Sequence, residues 1–169
     1  MGVETLISLE EYLHASYSPD REYCDGVLVE RNVGDSPHAL LQAALAAYLH
    51  RRRKQWNISV YTELRIRTRE KRYRIPDVCA YVLPAPEERF PSQMPILWIE
   101  ILSQDDKIVD VWSKAGELIE IGVPYVWIIN PNTLESELRT SSGINGVPDK
   151  TLRLANSPIV VPLLDVMTE

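Results

Sequence analysis

Between Pro95 and Pro131 the chain spells out a strand, a helix and a second strand, and that order restricts the fold more than any other feature. Pro95-Ile96-Leu97-Trp98-Ile99-Glu100-Ile101-Leu102-Ser103 is apolar on both faces apart from Glu100, as in a strand covered on both sides. After Ser103, the residues Ile108, Val111, Trp112, Ala115, Leu118 and Ile119 recur along one helix face, and Gly122 suits the C-cap. Tyr125-Val126-Trp127-Ile128-Ile129 is a second buried strand, closed by Asn130-Pro131. A strand–helix–strand passage within one sheet makes a parallel pair joined by a right-handed crossover. The expected fold class is therefore α/β, a mixed β-sheet with helices packed on it.

The preceding residues add an N-terminal helix and a hairpin. Ser8-Leu9-Glu10-Glu11 has capping-box spacing and opens a short helix through about Ala15. Arg21–Cys24 and Val27–Glu30 flank Asp25-Gly26, a pair that supplies the positive φ angles of a type I′ turn. Pro37 fits the first turn of a helix whose apolar face is read from Ala39, Leu40, Ala43, Ala44, Ala47 and Tyr48, ending near Arg51–Lys54. Ile58–Glu63 is a strand, continued past a bend by Leu64–Arg67. A basic turn over 68–74 then leads into Ile75-Pro76-Asp77-Val78-Cys79-Ala80-Tyr81-Val82. Four prolines between 84 and 95 make that stretch a loop. Glu135–Thr140 pairs with the Tyr125 strand, 141–149 is loop, and short strands lie around Leu152–Leu154 and Ile159–Val161. Nothing divides residues 1–169, which read as a single domain.

Two acids stand out against this pattern. Glu100 sits inside an apolar strand, and Asp77 sits where the neighbouring strand begins after Pro76, which lacks an N–H. Burying an uncompensated carboxylate costs several kcal/mol, comparable to what a whole domain has to spare. A basic partner, a proton or a metal ion must offset it. Two carboxylates a few ångströms apart repel unless a cation lies between them. Mg²⁺ suits such a pair, because it takes oxygen ligands and keeps several waters. The competing reading is that Asp77 caps a turn and Glu100 pairs with an arginine.

Three further residues are candidates. Glu22 lies in the first hairpin, where it is either an exposed strand residue or a third acid. His38 opens the long helix, where it is either a surface residue or a contact to a phosphate or a metal-bound water. Lys114 lies four residues past Asp110, a spacing that suits a surface bridge worth a few tenths of a kcal/mol. It could instead point at the scissile phosphate or the metal-bound water.

Composition limits the alternatives. Apolar residues make up 45% of the 169, enough for a real core. Cys24 and Cys79 fit neither a disulfide framework nor a zinc spacing, so free thiols in a reducing cytoplasm are expected. Met1-Gly2-Val3-Glu4 lacks a signal-peptide pattern, and no run approaches the roughly 20 apolar residues of a membrane span, so no membrane partner is expected. Net charge is −6, yet residues 51–74 hold ten of the eighteen Lys and Arg. Such a stripe meets phosphates or merely guards a sheet edge.

Pro76-Asp77, Glu100-Ile101-Leu102-Ser103, Asp110 with Lys114, and Gly122-Val123-Pro124 through Asn130-Pro131 together resemble the Uma family, a restriction-endonuclease group within the PD-(D/E)XK nuclease superfamily. Glu22 with Asp25-Gly26, His38, and Thr62-Glu63 fall where that family carries its other recurrent motifs. The resemblance covers about residues 8–140. It implies a restriction-endonuclease-like core and Mg²⁺-dependent DNA cleavage, with Mn²⁺ as a substitute. Carried onto this chain, Asp77, Glu100 and the Ile101 carbonyl would hold the metal, Glu22 would be an auxiliary acid, and Lys114 the catalytic lysine. Leu102 stands where the wider superfamily places lysine, and Gln104 where many relatives have proline. His38, Arg65, Arg67 and Arg74 are the expected DNA contacts. A domain this small rarely cuts both strands alone, so a homodimer is expected, with Trp56 or the tail strands contributing. A non-catalytic nucleic-acid- or protein-binding module on the same fold is the alternative.

Overall fold

The computed structural model describes residues 6–169, so Met1-Gly2-Val3-Glu4 lies outside the described residues. Ser8 caps α1 (Leu9–His14), its hydroxyl accepting the Glu11 N–H at 3.1 Å. β1 (Glu22–Cys24) turns into β2 (Val27–Val29) through Asp25 and Gly26, at φ 52° and 100°, as the hairpin signal required.

α2 (Ser36–Arg51) is capped by Asp35, whose carboxylate accepts the His38 N–H at 3.1 Å. Its buried face is Leu41, Leu45, Tyr48 and Leu49, together with His38. Leu40 is 60% exposed. The face read from the sequence was thus rotated by one position. The cause is local: alanines and leucines run around most of this helix, so spacing alone does not single out a stripe. α3 (Arg53–Trp56) follows and buries Trp56 against Tyr48. Trp56 is therefore core, not an exposed contact for a second copy.

β3 (Ile58–Thr62) ends at Glu63, which takes the left-handed conformation at φ 54°. There the chain leaves one sheet for another. β4 (Ile66–Arg69) does not extend β3 but pairs with β5 (Arg72–Arg74), a strand in what was read as a basic turn. β6 (Val78–Val82) and β7 (Leu97–Ile101) bracket the expected proline-rich loop. α4 (Ile108–Glu120) then crosses to β8 (Tyr125–Ile129), which lies parallel to β7. β9 (Ser136–Thr140) pairs with β8. β10 (Gly143–Gly146) adds an exposed edge strand where loop was expected. β11 (Thr151–Arg153), β12 (Val160–Pro162) and α5 (Leu163–Val166) close the chain.

The main sheet has the order β10-β9-β8-β7-β6-β3, and a second has the order β2-β1-β5-β4. Alternation along β7 sends Leu97, Ile99 and Ile101 to one face, against Leu41, Leu45 and Leu49 of α2 and the tail residues Leu152 and Val161. Trp98 goes to the other face, against Ala115 and Leu118 of α4. The expected mixed α/β architecture, with helices on both faces of the sheet, is present. By this alternation Glu100 belongs to the α4 face, which decides its partner. Among the described residues no helix is long and apolar enough to cross a membrane.

Candidate active site

β6 and β7 run antiparallel, with Val78 opposite Ile99 as the last pair at this end. Just before β6, Asp77 donates its N–H to the Ile99 carbonyl at 3.2 Å and its carboxylate accepts the Ile101 N–H, which brings it beside Glu100. Both line a cleft of about 480 Å³ at this end of the sheet. Glu22, His38, Ile101, Arg74 and Lys114 line it as well. Residues far apart in sequence thus meet in one place.

Asp77 is buried. Its Oδ2 accepts the Ile101 N–H at 2.7 Å and lies 3.4 Å from His38 Nε2. Its Oδ1 accepts from Arg31 Nη2 at 3.0 Å. Burial works against the His38 imidazolium, but the Asp77 carboxylate overrides it and raises His38 above its ordinary value. His38 is buried rather than on the surface. Its ring lies so close to the preceding loop that a Cβ on Gly34 would come within 2.6 Å of Nδ1.

Glu100 is 14% exposed, at the cleft wall rather than sealed in the core. Its Oε1 accepts from Trp98 Nε1 at 2.6 Å and lies 2.7 Å from Lys114 Nζ. Burial, joined by the nearby charges of Asp77 and Glu22, pushes Glu100 up to about 7 despite Lys114.

Lys114 does not bridge to Asp110. Its Nζ lies 2.6 Å from Glu22 Oε1 and 2.7 Å from Glu100 Oε1, and donates to the Ile75 carbonyl at 3.3 Å. Three acceptors match the three donors of an ammonium. Burial opposes its charge, but the two carboxylates hold its pKa above the ordinary value.

Glu22 is buried, and its polar partners Ile75, Arg74 and Lys114 are all donors. Oε1 accepts the Ile75 N–H at 2.9 Å and Oε2 accepts from Arg74 Nη1 at 2.9 Å. Burial alone would raise its pKa, yet Lys114 and Arg74 hold it down at about 2. Arg74 also donates to Glu117 at 2.8 Å.

The remaining basic candidates lie elsewhere. Arg65 is buried in an ion pair with Asp20 and lies over the Tyr12 ring, 4.6 Å from its centroid. Arg67 is exposed on β4 and does not line the cleft. Much of the basic stripe is consumed by acids from outside it: Arg52 by Glu169 at 2.6 Å, Arg72 by Asp25 and Glu117, and Arg74 by Glu22.

Sequence reasoning missed Arg31 and Gln42. Arg31 bridges Asp77 to Glu63, and Gln42 Nε2 donates to Glu63 Oε1 at 2.6 Å and to the Asp77 carbonyl at 3.0 Å. No local pattern marks either one. Only the register that brings β2, α2 and β6 together reveals them.

Among the described residues, no three His, Cys, Asp or Glu side chains converge to hold an ion unaided. A hard divalent cation needs no such cage, because Mg²⁺ binds through one or two carboxylates and completes its shell with water. Asp77 and Glu100, both lining the cleft, fit that requirement. The strain on the Glu100 carboxylate, buried beside two other acids, is the kind a cation relieves. Ile101 is beside them, where its carbonyl would be the third oxygen.

Residues 9–164 match the family model Uma2, described as "Putative restriction endonuclease". A solved structure is similar over nearly its whole length: a putative nuclease belonging to DUF820 from Anabaena variabilis ATCC 29413. It has 20% sequence identity and a TM-score of 0.81, and the match covers 96% of this chain and 98% of that one. At that identity the likeness shows the fold. No curated protein matches the chain.

Proposed function

The chain belongs to the Uma2 family of putative restriction endonucleases, and from that premise we propose that it is a Mg²⁺-dependent endodeoxyribonuclease hydrolysing DNA phosphodiester bonds. The observation that carries this reading is that Asp77 and Glu100 line one cleft at the end of β6 and β7, with Lys114 bonded to Glu100 at the cleft wall. Asp77, Glu100 and the Ile101 carbonyl would hold the ion. A bound Mg²⁺ would supply Lewis-acid polarisation of the phosphate and a more acidic water.

The side chains divide the remaining work. Lys114, an ammonium between two carboxylates, fixes Glu100 at the cleft wall and keeps positive charge beside the phosphate; it does not take the proton. Glu22 fixes Lys114 from behind, and Arg74 fixes Glu22. His38 supplies positive charge at the cleft for the DNA backbone, while Arg74, committed to Glu22 and Glu117, serves the site from behind. Arg67 extends that contact from β4. Arg65, locked to Asp20, supports the α1 junction instead. Two copies of the chain would present two such sites, one for each strand.

The second reading is a binding module without cleavage. It is favoured by one observation: each carboxylate of the site already has a protein cation, Arg31 on Asp77 and Lys114 on Glu22 and Glu100. Incubating supercoiled plasmid with Mg²⁺ or Mn²⁺ separates the two. Nicking by the wild type that D77A abolishes supports the nuclease. Salt-sensitive DNA binding with intact plasmid, unchanged in D77A, supports the module.

A further inference from the structure

Arg31 stands at the cleft without an assigned task. It follows β2 in the loop before α2, its side chain 15% exposed. Its guanidinium is shared between Asp77 Oδ1, at 3.0 Å, and Glu63. Glu63 is itself anchored by Gln42, which also holds the Asp77 carbonyl.

The oxygens of Asp77 are not equivalent. Oδ2 is committed to the Ile101 N–H and faces His38. Oδ1 is the oxygen left for another cation, and Arg31 occupies it. A divalent ion that binds through Oδ1 must displace the guanidinium. Glu63 holds the other side of the guanidinium, so the displaced arginine would remain at the cleft mouth. A guanidinium there offers paired donors to a phosphate, a geometry that Lys114, enclosed by three acceptors, cannot provide.

We infer that Arg31 is an exchangeable occupant of the cation position on Asp77, which passes to a DNA phosphate when a divalent ion takes its place. This rests on the reading of Asp77 as a metal ligand. Arg31 thereby links ion binding to substrate binding: it competes with the ion when DNA is absent and neutralises the substrate when the ion is present. Glu63 is the tether that keeps the exchange local.

The test is calorimetric titration of Mn²⁺ into the DNA-free wild type, R31A, R31Q and D77N, with far-UV circular dichroism confirming the fold. Removing one unit charge a few ångströms from a partly wet site should tighten Mn²⁺ binding by about tenfold in R31A, with R31Q changing in the same direction. In Ca²⁺, the same variants should bind a short duplex more weakly, with the salt slope reduced by about one. Mn²⁺ affinity that is unchanged or weaker in both variants overturns the inference and leaves the metal site standing. Absence of Mn²⁺ binding in wild type and R31A alike, or binding unaffected by D77N, overturns the metal-site reading itself. If R31A does not fold, R31Q carries the same comparison.

Discussion

Asp77 and Glu100 line the same cleft, and each of the two carboxylates has its own cation, Arg31 at 3.0 Å and Lys114 at 2.7 Å. The two acids share a cleft but not a partner. This split makes their substitutions separable.

Lys114 neutralises two buried acids at once. K114M leaves Glu22 and Glu100 without it and should cost about 3–5 kcal/mol in urea unfolding. E100Q in the same background should recover part of that loss, because one of the stranded charges is gone. Strict additivity of the two changes would show that the Lys114–Glu100 contact carries no coupling energy.

Asp77 acts on structure as well as chemistry. D77A strands the Ile101 N–H, so it should lose about 1–3 kcal/mol of stability besides its nicking activity. D77N retains an acceptor for that N–H. It should be the more stable of the two and equally inactive on plasmid.

Glu22 sets an acid limit. Its carboxyl titrates at about 2 in the folded protein, against an ordinary value of 4.5. Between those values the unfolded chain binds more protons. The stabilisation is therefore fully present above pH 4.5 and falls as pH drops towards 2. Denaturant melts across that window should show the slope in wild type and a flatter one in E22Q.

Gly34 lacks the side chain that would meet His38. G34A places a Cβ 2.6 Å from the ring nitrogen, and the imidazole must shift. A loss of about 1–3 kcal/mol is expected, as for other overpacked sites. In an H38A background the same change should cost much less.

The orientation of α2 can be checked with two neighbours. L41A empties a fully buried position and should cost about 2–5 kcal/mol. L40A, on the exposed face, should stay within about 0.5 kcal/mol of wild type. The reverse ranking would restore the face read from the sequence.

Spacing reached the elements whose signals are local. Asp25-Gly26 specifies its turn because both residues tolerate positive φ, and Ser8 specifies its cap through a bond three residues away. The apolar runs at 97–101 and 125–129, separated by an amphipathic helix, specify a parallel pair because only a crossover can join them. Asp77 and Glu100 were visible for a similar reason: a charge in an apolar strand contradicts its immediate neighbours.

What spacing left open depended on distant partners. Whether Leu40 or its neighbour is buried, whether Glu22 is exposed, whether Lys114 bridges to Asp110 or turns into the cleft: spacing along the chain does not decide any of these. Tertiary structure chose among them by placing α4 on the face that Glu100 points to, and by packing β1 beside β5 so that Glu22 meets Arg74. Arg31 carried no sequence signal at all. A carboxylate advertises itself by the apolar strand around it, whereas the cation that compensates it is identified only by distance in space, because Coulomb attraction is indifferent to the number of residues between the charges.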